Sequence, residues 1–250
     1  MYRRMVGQSL RVGLLVILVV LTLSACGGAH AQGRKIPEDK EGATESHRIP
    51  AGKYVTDEFR PAMSFRLNKG WHTGPRPKDS LDGFVETSHN ITLSTFSESG
   101  TSYLEFLVIP KVYKVGSAYE ARAQPAPKDM VSWLQNNPNL DTEKPEPTSV
   151  GGVKGKELDA VASHIPQEYI SGGYHGCCQT GPSLPLFQVI PAYGTESTYE
   201  IYKDDKVRFI VLDDVKGKTV TIAVLTPAVK FDEVWHKAQK VLDSVKWTGS

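Results

Sequence analysis

The residues best equipped for chemistry lie in Tyr174-His-Gly-Cys-Cys178, one histidine followed closely by two adjacent cysteines. Thiolates and imidazoles bind zinc, but common zinc sites use two ligand pairs, with roughly two to four residues between paired cysteines. Here the cysteines are neighbours, and the third cysteine of the chain is the distant Cys26. Adjacent side chains diverge, so this spacing argues against a metal, and no cofactor is expected. In an oxidising compartment the two thiols would be driven together. A disulfide between Cys177 and Cys178, stiffening residues 172–181, is the expectation. Two free thiols and a redox switch are the alternatives.

Other chemistry is sparse. Ser163-His164 is a bare pair, and triads assemble in space rather than in sequence. No G-x-S-x-G elbow accompanies it. His72 follows Gly70-Trp71 and reads as a solvent-facing turn residue, and His236 falls off the apolar stripe of its segment. Asp204-Asp205 reads as a turn, Asp213-Asp214 as a strand end. Neither pair shows the apolar flanks that would raise a carboxyl pKa. No EF-hand loop, H-E-x-x-H or phosphate-cradling glycine loop occurs, and Gly151-Gly-Val-Lys-Gly155 reads as a turn. An enzyme would have to gather His164 or His175 with a carboxylate in one pocket. The sequence supplies no catalytic set, and a non-enzyme is expected.

Cys26 has a different setting. Arg3, Arg4 and Arg11 precede the twelve-residue run Val12 to Leu23, which ends in Ser24-Ala25-Cys26. A charged region followed by a short apolar one is the layout of an export signal. The run is shorter than the roughly 20 residues that span a membrane. The small residues before the cysteine resemble a bacterial lipobox. That resemblance implies cleavage after Ala25 and lipidation of Cys26. Acyl chains contribute about 0.8 kcal/mol per buried CH₂, and two or more hold a protein at a membrane. Residues 1–25 carry three arginines and no acid, so the rest has 26 basic and 28 acidic residues, near −2. No basic excess remains to bind nucleic acid.

Residues 26–50 are polar, mixed in charge and nearly free of large apolar side chains, the composition of a flexible tether. As a coil it would span roughly 25–30 Å. Residues 51–250 fit a single domain.

The elements that must position any site follow from periodicity. Met63–Leu67 alternates as a strand. Residues 91–96 and 103–109 read as two more, and residues 127–136 as a short helix stopped by Pro138. Gly151-Gly152 separates two strand segments as a hairpin does. Residues 198–202, 207–212 and 219–225 are strands joined by tight turns. Over residues 230–245 the period switches. Phe231, Val234, Trp235, Ala238, Val241, Leu242 and Val245 recur at helical spacing, with Trp235 facing the core.

Four segments carry a family resemblance: residues 59–71 ending in Gly70-Trp71, residues 129–134, residues 150–155 around Gly151-Gly152, and residues 238–247 ending in Ser244-Val-Lys-Trp247. They resemble uncharacterised surface lipoproteins of the actinobacterial type, distantly similar to the Mog1/PsbP-like fold. The resemblance implies an α+β, α/β/α sandwich, with an antiparallel sheet packed against helices and a long C-terminal helix. Its motifs are structural, so no functional residue is carried over.

The expected function is a membrane-anchored extracytoplasmic binding or accessory module of the cell envelope. Its partner would be a protein, an envelope polymer or an amphiphile, and an envelope hydrolase is the alternative. Residues 183–193 offer a candidate binding loop in Leu184, Leu186, Phe187 and Tyr193. The competing reading makes the same apolar run a buried strand.

Overall fold

The computed structural model describes residues 33–37, 47–56, 58–73, 86–97, 100–115, 123–165, 182–189 and 197–248. They are mostly strand, with two α-helices among the described residues. Nine strands form the largest sheet. Across it run β10 (Leu140–Thr142), β12 (Val153–Ala162), β15 (Asp205–Val215), β16 (Lys218–Pro227), β7 (Gly100–Leu107), β6 (Asn90–Ser97), β5 (Trp71–His72) and β2 (Arg48–Ile49). A ninth, β11 (Glu146–Val150), pairs with β12.

Every pairing in this sheet is antiparallel. The sequence causes this directly: β-branched and aromatic runs suit a pleated surface, and short turns reverse them. Gly151 (φ +59°) and Gly152 (φ +81°) close the β11–β12 hairpin, where both central residues need positive φ. Lys216 (φ +56°) and Gly217 (φ +81°) do the same between β15 and β16.

Both faces of the large sheet are covered. On one face lie α2 (Phe231–Leu242) and a small sheet of β1 (Arg34–Lys35), β3 (Gly52–Val55), β4 (Met63–Leu67) and β17 (Lys246–Trp247). Ile210, Leu212, Ile222, Val224, Leu104 and Phe106 point into that core. On the other face lie α1 (Met130–Gln135) and a sheet of β14 (Ser197–Tyr202), β13 (Ser183–Val189), β8 (Lys111–Tyr113) and β9 (Ala123–Pro125). Val207, Phe209, Val211, Ala223 and Leu225 fill that second core. Strands buried on both sides carry continuous apolar runs, as β16 does.

Three expectations change. The C-terminal helix spans twelve residues, Phe231–Leu242, because Asp243 and Ser244 turn the chain toward β17. Its stripe is as expected except for Trp235, which is half-buried at the rim of the core. Residues 33–37 and 47–50, expected in the tether, belong to the folded body. Arg34 and Lys35 pair with Tyr54 and Val55, and Ile36 and Ile49 are 5% and 1% exposed. These two isoleucines are the only large aliphatic side chains in that stretch, and burying them recruits it. Third, Leu184, Leu186 and Phe187 form part of β13 and are at most 2% exposed. They are core rather than a surface loop. A register shift between Pro185 and Phe187 turns consecutive apolar residues inward.

Candidate functional site

Polar groups on the large sheet fall into two kinds. The first kind is a set of charged groups held by several partners each. Asp159 on β12 faces Arg208 on β15. Its carboxylate accepts from Arg208 Nε, and from Nη2 at 2.9 Å, and pairs with Lys206 Nζ at 2.7 Å. Burial alone would raise the Asp159 pKa, but the hydrogen bonds and charges of Arg208 and Lys206 outweigh it and hold it low. Helix α2 roofs the cluster: Arg208 lies 4.3 Å from the Trp235 ring centroid, and Lys206 lies 4.4 Å from that of Phe231. Further along α2, Lys237 Nζ donates to Gly70 O at 2.6 Å and to Thr95 Oγ1 at 2.7 Å, and sits 4.7 Å from the Trp71 ring. Such groups fasten the helix to the sheet.

The second kind is on the opposite face. Directly paired residues share a face, so the register aligns Phe209, Ala223, Glu105 and Thr92 in one row across β15, β16, β7 and β6. The next row holds Val207, Leu225, Tyr103, Ser94 and His72. From β15 to β5 the face thus passes from apolar to polar, with Glu105 at the boundary.

Glu105 accepts from Thr92 Oγ1 at 3.0 Å, and no cation pairs with it among the described residues. It is half-buried on the strand. Burial pushes its pKa up to about 7, against which the Thr92 hydrogen bond acts only weakly. Tyr199 reaches this face from β14, its ring stacked on Phe187 (5.4 Å between centroids) and tilted against Phe209 (6.3 Å). Its hydroxyl is buried with no hydrogen-bond partner. Burial, then the charges of Glu105 and Asp205, raise its pKa. Asp205, at the β14–β15 turn, is 6% exposed with a pKa of about 6, again raised first by burial.

His72 is the third unusual group. It is a strand residue rather than a turn residue. Its Nδ1 is buried without a hydrogen bond, and its ring meets Phe96 edge-on at 5.2 Å. Burial lowers its pKa, and the charges of Arg48 and Lys237 lower it further. Sheet spacing puts His72 and Glu105 about 12 Å apart, two strands and two residues. Buried polar groups in native proteins are nearly all bonded; Tyr199 Oη and His72 Nδ1 on this face and Trp71 Nε1 on the helix side have no hydrogen bond, and the pKa values displaced by burial make this face the candidate binding site.

Among the residues expected to carry function, Leu184, Leu186 and Phe187 lie beneath this face as packing, and Phe187 supports the Tyr199 ring. Cys26, His175, Cys177, Cys178 and Tyr193 lie outside the described residues. His164 and His236 are exposed. Among the described residues no three of His, Cys, Asp and Glu gather as metal ligands, and no helix is long and apolar enough to cross a membrane. Glu105 was overlooked in the sequence. Its signal was a single acid inside Tyr103-Leu-Glu-Phe-Leu107, apolar on both sides. Asp205 sits at the expected turn, but against the expectation its carboxyl pKa is raised, because burial keeps water from it.

A concavity of about 520 Å³ lies between the β11–β12 turn and the end of α2. The Trp247 indole there already donates to Val150 O at 2.9 Å.

No protein-family model matches the chain, and no curated protein matches it. Among solved structures it is similar to LpqN, described as involved in cell envelope biogenesis of Mycobacterium tuberculosis. The identity is 9%, covering 82% of this chain and 91% of that one. The TM-score is 0.35, too low to establish a common fold.

Proposed function

We propose that this chain is a lipid-anchored, extracytoplasmic binding module of the cell envelope, held at the membrane through Cys26. We assign its ligand site to the sheet face that carries Glu105, Thr92, Tyr199 and His72. We read the body as a Mog1/PsbP-like sandwich, a reading supported by the helix laid on one face of the antiparallel sheet. The observation that carries the binding role is the Tyr199 hydroxyl, buried beside Glu105 with nothing to bond. An unmet donor costs stability, and a ligand that accepts from it recovers that cost. The partner is a protein, an envelope polymer or an amphiphile, and not nucleic acid.

Native mass spectrometry of the protein gently extracted from its own membranes tests this. The expected spectrum shows a chain beginning at an acylated Cys26 with a reproducible further mass. An unmodified Cys26 would end the anchoring claim, and a bare lipidated chain would end the stable-ligand claim.

The enzyme reading draws on one observation, the Glu105 pKa of about 7. A carboxyl titrating near neutrality is suited to general acid or base work. It requires chromogenic ester or glycoside turnover that Glu105→Gln abolishes. Turnover unchanged by that substitution would exclude Glu105 as the acid or base.

A further inference from the structure

We propose that the concavity between the β11–β12 turn and the end of α2 is a second binding site, and that it takes an uncharged sugar ring stacked on the Trp247 indole. This goes beyond the binding-module reading and does not depend on the Glu105 face.

The concavity supplies the room. Its volume of about 520 Å³ lies within the roughly 300–1,000 Å³ of small-molecule sites, and it opens to solvent. The Trp247 indole forms part of its wall and is fixed in place. Nε1–H donates to Val150 O at 2.9 Å, and the ring packs against the first core while remaining half-buried. Its pyrrole edge lies against Gly151, where a Cβ would come within 2.8 Å of both Cδ1 and Nε1. Glycine at that position lets the ring lie so close to the turn. A Cβ on Gly152 would meet nothing within 4 Å, so the turn leaves open space beside the ring. The indole is therefore a platform set before any ligand arrives.

The polar rim decides the ligand class. Ser149, Asp243 and Lys246 border the concavity and are exposed. Their side chains have no hydrogen bond or ion pair among the described residues. They offer a hydroxyl, a carboxylate and an ammonium, so donors and acceptors occur together. Asp243 offsets Lys246, and neither sign of charge is favoured in a ligand. A wholly apolar ligand would strip water from these groups and return no hydrogen bond. A pyranose ring satisfies both demands. One of its faces is a patch of C–H groups, which suits the negative face of an indole. Its hydroxyls donate to Asp243 and accept from Lys246, and such charge-assisted bonds are stronger than neutral ones.

Two neutral disaccharides, maltose and N,N′-diacetylchitobiose, test the proposal, with sorbitol as a polyol that has no ring face. Each is titrated at pH 7 into the ¹⁵N-labelled full chain in a polyoxyethylene detergent, which carries no sugar. At least one disaccharide is expected to shift the Trp247 indole and Gly152 amide signals saturably. It should bind about tenfold more tightly than sorbitol, with its ring protons moving upfield as protons over an aromatic face do. Asp243→Ala and Lys246→Ala alter exposed side chains and should each weaken binding about fivefold while the remaining spectrum is unchanged. Silence with both disaccharides overturns the proposal, as does sorbitol binding equally well or an Asp243→Ala variant that binds as the parent does. Shifts confined to the amides of β6 and β7 also overturn it, and would leave the Glu105 face standing as the site.

Discussion

Asp159 and Glu105 are both carboxyls on interior strands of one sheet, and their surroundings treat them in opposite ways. Asp159 points to the helix side and is held by Arg208 and Lys206 under a roof of Trp235 and Phe231. Glu105 points to the other side, where Thr92 is its hydrogen-bond donor and the nearby Tyr199 hydroxyl has no partner. Desolvation is the largest influence on both. On Asp159 two cations overcome it, and on Glu105 nothing does. The comparison separates architecture from function. A saturated network fixes where α2 sits, whereas an unsaturated one keeps hydrogen-bonding capacity for something else.

The contrast breaks most visibly at Asp159. Asp159→Ala leaves the half-buried Arg208 with Glu157 alone, 3.9 Å away, and should cost about 3 kcal/mol in urea unfolding. A loss below about 1 kcal/mol would mean the network is ornamental. Because the folded Asp159 pKa is lowered, its contribution is present above the unfolded value of 3.8 and disappears as pH falls through the lower folded value. Lys237→Ala, also on the helix side, removes two hydrogen bonds from a charged donor and should cost about 2–3 kcal/mol.

Glu105 should show the reverse sign. Between pH 4.5 and about 7 the folded chain keeps a proton that the unfolded chain has lost, so stability falls as pH rises across that window. Glu105→Gln should therefore stabilise the protein at pH 8 by about 2 kcal/mol, after discounting for partial solvent access, and by little at pH 4. Destabilisation by Gln at pH 8 would mean that the carboxylate has a structural partner. The smallest effect is expected for Tyr199→Phe. Removing an unbonded buried hydroxyl should change stability by no more than about 1 kcal/mol, in the stabilising direction. A loss of 2 kcal/mol would place Tyr199 with the structural groups.

Much of the framework is readable from local pattern. Residues 207–212 and 219–225 declare strands by β-branching, Gly151-Gly152 declares a hairpin, and the stripe from Phe231 to Val245 declares a helix. Each signal is carried by residues close in sequence. The candidate site is not of that kind. The register that sets Glu105 beside Ala223 joins residues over a hundred positions apart, and Tyr199 arrives from a third sheet. Whether a polar group ends up bonded depends on those distant neighbours, so Asp159 and Glu105 look alike in sequence. The apolar run at Leu184 to Phe187 leaves a surface loop and a buried strand both open in the sequence for a related reason. Composition alone cannot say whether such a run faces solvent or another sheet, and here the second core claims it.

The most direct test compares the parent and Tyr199→Phe, both extracted from their native membranes, by native mass spectrometry alongside urea unfolding. The account predicts that the variant is as stable as the parent or slightly more so, and that it loses the additional mass the parent retains. A variant that is clearly less stable yet keeps that mass would contradict it, because Tyr199 would then serve the fold and not the ligand.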